Sequence, residues 1–434
     1  MKAVILAGGR GTRLGSVTHK TPKPMIPIGG RPLLDHQLEL LKSYGFTEVL
    51  LATGHLGEII RNHFGDGRSR GMQIEYLQEE TPLGTAGAVL SCGHLLKDDF
   101  LVLYADVMFD LDLARLVDFH RQRSGDATLV LHPNDHPQDS DLVEVDTAGR
   151  ITRFHPKPHD PGIYYRNLVN AALYVMSPRI LAAIDGGKPS DFGRDVFPGI
   201  VDRMNLYGYL TAEYLKDVGT PGRLEAVSAD HASGRISRMN RRTRRRAVFL
   251  DRDGVINAEK GYISRVEDFD LLPGVAAAIR RINASELLTI VVTNQPVVAR
   301  NMCSEGTVEM IHRKMDTLLG REKAKLDAVY YCPHHPDAGY PGENTRYKVD
   351  CNCRKPRTGM VDRASEEFNI DLPGSFIIGD TWRDIQTGKN CGMTAYAVRS
   401  PAPYGDRNVQ PDATFDSLAE AVDFIHHCYP RVIP

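Results

Sequence analysis

Twice in this chain a short apolar run breaks off at a loop of glycine and charge. Ala3–Leu6 runs into Ala7-Gly8-Gly9-Arg10-Gly11-Thr12-Arg13-Leu14, and Ala247–Leu250 runs into Asp251-Arg252-Asp253-Gly254. Strand and helix patterns alternate after each start. In the first half, Leu33–Tyr44 has apolar residues at helical spacing and stops at Gly45, while Glu48–Thr53, Ile74–Leu77 and Phe100–Tyr104 read as strands. In the second, a helix is expected from Gly274 to Ser285, with strands at Leu288–Val292, Ala328–Tyr331 and Phe376–Ile378. Such alternation predicts two doubly wound α/β domains, each a mostly parallel sheet with helices on both faces. Ligands of such sheets sit at the carboxyl ends of the strands, where both loops fall.

A length of 434 residues suits two domains better than one core. The expected division is a first domain over 1–232, an arginine-rich linker over 233–246 and a second domain over 247–434. Seven arginines fall between Arg235 and Arg246. That run reads as a solvated linker or helix rather than as a surface for an anionic partner. The net charge of −2 gives no electrostatic case for nucleic-acid binding. No apolar run approaches the roughly 20 residues of a membrane span. The first residues form a buried strand rather than a signal peptide, because the apolar stretch soon turns into the Gly/Arg loop. Of the seven cysteines, three lie between Cys332 and Cys353, which argues for a metal in a reducing cytoplasm rather than for disulfides.

The first loop has the chemistry of a phosphate cradle. Gly8, Gly9 and Gly11 let backbone N–H groups approach phosphate oxygens at a helix start. Arg10 and Arg13 flank the loop, and Lys23 stands between Pro22 and Pro24. Three cations around a glycine loop suit a triphosphate whose pyrophosphate leaves with growing negative charge. The stretch Leu6–Leu33 resembles the signature of sugar-1-phosphate nucleotidyltransferases, and later segments agree in order over about residues 1–230. Glu79-Glu80-Thr81-Pro82-Leu83-Gly84-Thr85-Ala86 resembles the family's loop for base and sugar. Lys157-Pro158 and Asn170-Ala171 resemble its sugar site. The resemblance implies that Gly8–Thr12, Glu79, Gly84, Thr85, Lys157 and Asn170 bind substrates. It implies that Asp106 and Asp217 hold Mg²⁺, that Arg13 and Lys23 act at the reacting phosphates, and that Lys157 takes the sugar phosphate. Pro156 departs from the family's usual Glu before Lys-Pro, so the sugar contact must differ.

In the second loop, Asp251 stands at a strand end, where a carboxylate can attack phosphorus and form an aspartyl-phosphate. Asp253, two residues on, can protonate the leaving oxygen and later activate water. Thr293-Asn294-Gln295 offers hydrogen bonds to the phosphate, Arg354-Lys355 offers positive charge, and Asp380 with Asp384 offers magnesium ligands. The set resembles the haloacid-dehalogenase-type phosphatase superfamily over about residues 247–400. That resemblance implies Mg²⁺ at Asp251, Asp253 and Asp380, with the backbone carbonyl of Asp253 as a ligand.

Cys332-Pro333-His334 followed by Cys351-Asn352-Cys353 has the spacing of a closed, structural zinc site, with His334 favoured over His335. A zinc loop just ahead of Arg354-Lys355 resembles phosphatases of heptose 1,7-bisphosphate and of histidinol phosphate. Pro296 and Val297 stand where the heptose enzymes tend to have Ser and Gly. Together the resemblances imply removal of the 7-phosphate of D-glycero-D-manno-heptose 1,7-bisphosphate by the second domain and nucleotidyl transfer to heptose 1-phosphate by the first; the alternatives are the same two chemistries on another sugar such as mannose, or one domain degenerate and regulatory. The nucleotide expected is GTP, with ATP and CTP open. The expected partners are a nucleoside triphosphate and a phosphorylated heptose, with no nucleic acid and no membrane; homo-oligomerisation stays open.

Overall fold

Ala3, Val4 and Ile5 are fully buried because the strand Ala3–Ala7 runs between two parallel neighbours, Glu48–Thr53 and Phe100–Tyr104. The computed structural model describes all residues except 10–13, 15–19, 338, 340, 402, 407 and 430–434. The chain divides into two units. In the first, side chains of this central strand alternate between two cores, as the period of two requires. Ala3, Ile5 and Ala7 pack with Leu34, Leu38 and Leu41 of the helix Leu33–Ser43. Val4 packs on the other face with Ala86 and Val89 of the helix Gly84–Ser91.

Among the described residues this sheet has nine strands. Its order is Ile151–His155, Leu142–Val145, Val169–Met176, Phe100–Tyr104, Ala3–Ala7, Glu48–Thr53 and Gln73–Gln78, with Ala127–His132 and Leu206–Leu210 joined off this path. The expected parallel arrangement holds from Phe100–Tyr104 through Ala3–Ala7 and Glu48–Thr53 to Gln73–Gln78, and between Ala127–His132 and Leu206–Leu210. Val169–Met176 is antiparallel to both Phe100–Tyr104 and Ala127–His132. Leu142–Val145 and Ile151–His155 form an antiparallel pair closed by a turn in which Gly149 N–H donates to Asp146 O at 3.0 Å. Antiparallel neighbours need only such short turns, whereas apolar periodicity carries no strand direction.

The second unit holds a six-stranded parallel sheet among its described residues, ordered Ala328–Cys332, Leu288–Asn294, Ala247–Leu250, Phe376–Gly379, Thr394–Val398, Ala413–Phe415. Every residue of Ala247–Leu250 is fully buried. Val275–Ala284, Glu305–Arg321 and Leu418–Cys428 supply much of the covering core. Two short stretches from earlier in the chain, 133–139 and 158–167, belong to this unit. Arg166 Nε lies 2.7 Å from Asp316 Oδ2 on the helix Glu305–Arg321. Within the arginine-rich run, expected as a solvated linker or helix, some residues are tied into the fold. Arg235–Arg238 is helical, Arg238 donates to Ser233 O at 2.7 Å, and Arg245 is 7% exposed with a hydrogen bond to Glu286 O. Arginines that find carbonyls within their own unit are spent on structure, which the sequence run alone does not reveal.

The helix Trp382–Asn390 lies close on its sheet because Gly388 has no side chain. A Cβ there would stand 2.3 Å from Ile377 Cγ2 and 2.9 Å from Ala395 Cβ. Gly388→Ala is expected to destabilise the second unit by about 1–3 kcal/mol through overpacking. Chemical denaturation measures it; a loss below about 0.5 kcal/mol would show that the helix can shift freely.

Candidate active sites

In the first unit the strand Ala3–Ala7 delivers Gly8 and Gly9 to a cleft of about 250 Å³. A Cβ on Gly8 would stand 2.9 Å from Glu79 Oε2, so the loop passes that carboxylate closely. Burial pushes the Glu79 carboxyl up from its ordinary range. Lys23, held in the short turn Lys23–Met25, is 7% exposed and places Nζ 2.7 Å from Asp106 Oδ2. Gly84 begins the helix Gly84–Ser91 at φ +74°, and a Cβ would meet Ser190 O at 2.3 Å. That close approach is tied by Ala86 N–H to Ser190 O at 3.0 Å and Ser190 N–H to Leu83 O at 2.9 Å. The cleft thus faces a helix start, which favours anions. Arg10, Gly11, Thr12 and Arg13 lie outside the described residues.

Asp217 comes beside Asp106 through strand pairing. Asp217 is in register with Val107, and Val218 N–H donates to Asp106 O at 2.9 Å. Each carboxylate already has a cation. Asp106 has Lys23, and Asp217 accepts from Arg223 Nη1 at 2.8 and 2.9 Å. Arg223 carries no motif that would have singled it out. Lys157 and Asn170 are joined through Asp141, whose Oδ1 accepts from Lys157 N–H at 3.2 Å and whose O accepts from Asn170 N–H at 3.1 Å. Thr85 Oγ1, on the cleft wall, donates to Asp191 Oδ2 at 2.7 Å. Asn170 Nδ2, Asp191 Oδ1 and Asp141 Oδ2 all stand 3.5–3.6 Å from where a Gly193 Cβ would be. Sequence reading missed Asp141 and Asp191 because they lie in separate loops that only the fold unites.

In the second unit the motif residues gather at the carboxyl ends of three parallel strands. Asp251 follows Ala247–Leu250, Thr293 and Asn294 end Leu288–Asn294, and Asp380 follows Phe376–Gly379. Lys355 is 2% exposed, with Nζ 2.9 Å from Asp251 Oδ1 and hydrogen-bonded to Asp384 Oδ1. Burial works against its charge, and the two carboxylates overcome this and raise its pKa. Burial, then Asp384, pushes Asp380 up to about 7; burial pushes Asp251 up as well. Gly254 sits at φ +75° where a Cβ would be 2.2 Å from Asp380 Oδ2, so the loop after Asp251 touches the carboxylate of another strand.

Among the described residues, Asp251, Asp380 and Asp384 offer oxygens within 4.8 Å of one another, a fit for a hard divalent cation. Asp253 is outside this trio, its carboxylate taken by Arg252, Asn257 and Gln295. Asp106 and Asp217 belong to no such group among the described residues. Asn294 exchanges two hydrogen bonds with the Lys355 backbone, at 3.0 and 3.1 Å, so it shapes the lysine loop. Thr293 is 1% exposed and accepts from Gln295 Nε2 at 3.0 Å.

Cys332, His334, Cys351 and Cys353 form the second metal-sized group. Their sulfur–sulfur distances are 3.3, 3.3 and 3.6 Å, and His334 Nδ1 is 3.3 Å from Cys353 Sγ and 3.7 Å from Cys332 Sγ. Ligands about 2.3 Å from a zinc ion stand about 3.8 Å apart in a tetrahedron, so the cluster could hold zinc with little adjustment. Hydrogen bonding from Cys332 lowers the Cys353 thiol to about 5. His335 lies outside the group, its backbone N–H bonded to Tyr347 O at 3.1 Å. Arg354 Nη1 donates to His334 O at 3.1 Å, which links the cluster to the residue before Lys355.

The "Nucleotidyl transferase" family model matches residues 2–234, and a HAD-hydrolase-like model matches residues 352–421. The mannose-1-phosphate guanylyltransferase of Mycobacterium tuberculosis is 38% identical over 235 residues, covering 54% of this chain and 65% of that protein. The mannose-1-phosphate guanyltransferase of Kluyveromyces lactis is 34% identical over 251 residues, covering 56% and 66%. The UTP–glucose-1-phosphate uridylyltransferase of Synechocystis is 35% identical over 216 residues, covering 46% and 55%. The chain thus spans less than two thirds of these relatives. The crystal structure of HddC from Yersinia pseudotuberculosis complexed with GMP-PN is 24% identical, with a TM-score of 0.46, covering 53% of this chain and 99% of that one. Among the described residues no helix is long and apolar enough to cross a membrane.

Two outcomes are expected. Elemental analysis should find about one zinc per chain, lost in Cys351→Ser, and a strong chelator should lower the melting temperature. No bound zinc and an unmoved melting temperature would refute the cluster's role. Gly254→Ala should abolish the magnesium-dependent rise in melting temperature of the second unit, because the added methyl displaces Asp380. An unchanged rise would show that Asp380 does not hold the ion.

Proposed function

The chain belongs to the nucleotidyl transferase family, and we propose that it is a bifunctional enzyme acting on one sugar at two phosphates. In this reading the second unit removes the 7-phosphate of D-glycero-D-manno-heptose 1,7-bisphosphate. The first unit then couples the heptose 1-phosphate to a nucleotide, GTP by preference, and releases pyrophosphate.

In the second unit Asp251 attacks the phosphorus and the bond to the sugar oxygen breaks, while Asp253 supplies the proton that oxygen takes up. Water, losing a proton to Asp253, then frees phosphate from Asp251. Lys355 holds Asp251 and Asp384 in place, and Thr293 and Arg354 bind the phosphate and its surroundings. Asp251, Asp380 and Asp384, with the Asp253 carbonyl, would hold Mg²⁺, which when bound screens the negative charge gathered there.

In the first unit an oxygen of the sugar phosphate attacks the α-phosphorus of the nucleotide, and the bond to pyrophosphate breaks. Gly8 and Gly9 cradle the phosphates, while Lys23 and Arg13 offset the charge on the departing group. Glu79, Gly84 and Thr85 line the nucleotide and sugar walls, Lys157 takes the sugar phosphate, and Asn170 stands in the sugar site. Asp106 and Asp217 would hold Mg²⁺ once Lys23 and Arg223 turn to the phosphates.

The observation that carries the reading is the pairing itself. A transferase-type cleft and a buried Asp251–Lys355–Asp384 centre share one chain, and the product of the second chemistry belongs to the substrate class of the first. The mannose-1-phosphate guanylyltransferase relatives support a manno-configured sugar and a guanine base. They equally favour a second reading, mannose 1-phosphate as the sugar, and the uridylyltransferase relative keeps the base open.

Mass spectrometry of an end-point mixture tests this. The protein is incubated with Mg²⁺, heptose 1,7-bisphosphate and equal GTP, ATP, CTP and UTP, and in parallel with mannose 1-phosphate. One nucleotide-heptose, with free phosphate, is the expected result. A nucleotide-mannose alone would move the assignment to the second reading. No nucleotide sugar and no phosphate would sink the heptose assignment.

A further inference from the structure

Among the described residues Arg252 is the largest fully buried side chain, at 0% exposure. It sits between Asp251 and Asp253, yet its guanidinium turns wholly toward the second. Arg252 Nε is 3.2 Å from Asp253 Oδ1, and Nη2 is 2.9 and 3.0 Å from Oδ1 and Oδ2. The same Nη2 donates to Gln295 Oε1 at 3.0 Å, and Nη1 lies 3.4 Å from His312 Nε2. His312 is itself buried and held neutral by burial and by Arg252, so it can accept.

Two amides complete the clamp. Gln295 Nε2 donates to Asp253 Oδ2 at 2.7 Å, and Asn257 Nδ2 donates to Oδ1 at 2.9 Å. Both Asp253 oxygens are therefore fixed, and the carboxylate stays clear of the trio Asp251, Asp380 and Asp384. A bland reading makes Arg252 core filling. Its polar contacts argue otherwise, because they run to Asp253, to Gln295, which also grips Asp253, and to one neutral imidazole.

Resting on the phosphatase reading above, we infer that Arg252 is a positioning residue that acts through Asp253. With Gln295 and Asn257 it fixes the carboxyl group in the place from which its acid form gives a proton to the leaving oxygen as the Asp251–phosphorus bond forms and the bond from phosphorus to that oxygen breaks. From that place Asp253 also takes the proton of the water that later breaks the Asp251–phosphorus bond. The planar fork is what matters, since a point charge cannot hold two oxygens and an amide in one plane.

Arg252→Lys keeps the charge and loses the fork. The test compares kcat/KM on two substrates, heptose 1,7-bisphosphate and p-nitrophenyl phosphate. The first has an alkoxide leaving group that needs a proton, and the second releases a stable phenolate that does not. Since kcat/KM stops at the first irreversible step, water activation does not enter it. Arg252→Lys should lose about 100-fold on the bisphosphate and less than about 5-fold on the nitrophenyl ester. In an Asp253→Asn background it should cost nothing further, because the group it positions is gone. Should Arg252→Lys fail to fold, Asn257→Ala carries the same comparison with a smaller selective loss. Equal losses on both substrates, or additive losses with Asp253→Asn, overturn the inference alone. An unmodified protein that releases phosphate from neither compound overturns the phosphatase reading, and the inference with it.

Discussion

The second unit is organised around one buried ammonium. Lys355, 2% exposed, lies between Asp251 and Asp384, and Asp380 completes the group. Three carboxylates and one ammonium leave two negative charges uncompensated in a largely buried site. Burial answers by pushing Asp251 and Asp380 toward protonation. A divalent cation answers better, because it matches the deficit and takes oxygen ligands. With such a cation held there the three carboxylates are matched by three positive charges, so a phosphoryl group could enter without meeting a net negative charge. Lys355 reaches this place because Asn294 grips its backbone at both N–H and C=O, and because Phe376–Gly379 carries Asp380 up beside Asp251.

Close approach of backbone to charged side chains is the shared device of both units. Gly254 against Asp380 lets the loop after one strand meet the carboxylate that follows another, and Gly379 against Asp384 lets the helix Trp382–Asn390 start close to its own strand. At the walls of the first cleft Gly8 passes the Glu79 carboxylate closely, and Gly84 lets two backbone segments meet at Ser190. In each case a methyl group would stand under 3 Å from a neighbour. Glycine is favoured by contact in each place, and at Gly84 and Gly254 it is required by a positive φ as well.

What the sequence disclosed follows from how far each signal reaches. Glu48–Thr53, Phe100–Tyr104 and Ala247–Leu250 begin and end where their sequence pattern places them, because a buried strand records its own burial. The cysteine cluster was legible for the same reason: short spacing within two loops leaves few other ways to place four ligands. Strand direction was not legible, so the antiparallel edge built on Val169–Met176 came only with the structure. Partners supplied from elsewhere were hidden too. Arg223 on Asp217, and Asp141 and Asp191 around Asn170, come together through tertiary contacts with no local pattern. Asp384 stood beside Asp380 in the sequence reading, but its bond to Lys355 could not be read there.

The two departures from the family patterns have different weight. Pro296 and Val297 stand in a buried turn. Arg300 N–H donates to Pro296 O at 2.9 Å, Met302 N–H to Val297 O at 2.9 Å, and Val297 and Val298, each 1% exposed, pack with Val308. A rigid proline and a branched apolar residue are consistent with that place, and Asp251, Lys355 and Asp380 are assembled without them. Pro156 is another matter. It has no side-chain acceptor for a sugar hydroxyl, while Asp141 holds the backbone of its neighbour Lys157 and stands near Asp191 and Asn170. A polyol bound there would find acceptors on the opposite loops instead of at position 156. In the proposed transfer the reacting groups are phosphates, lysines and carboxylates, so Pro156 bears on the choice of sugar, which rests on hydroxyl positions, rather than on the phosphoryl chemistry.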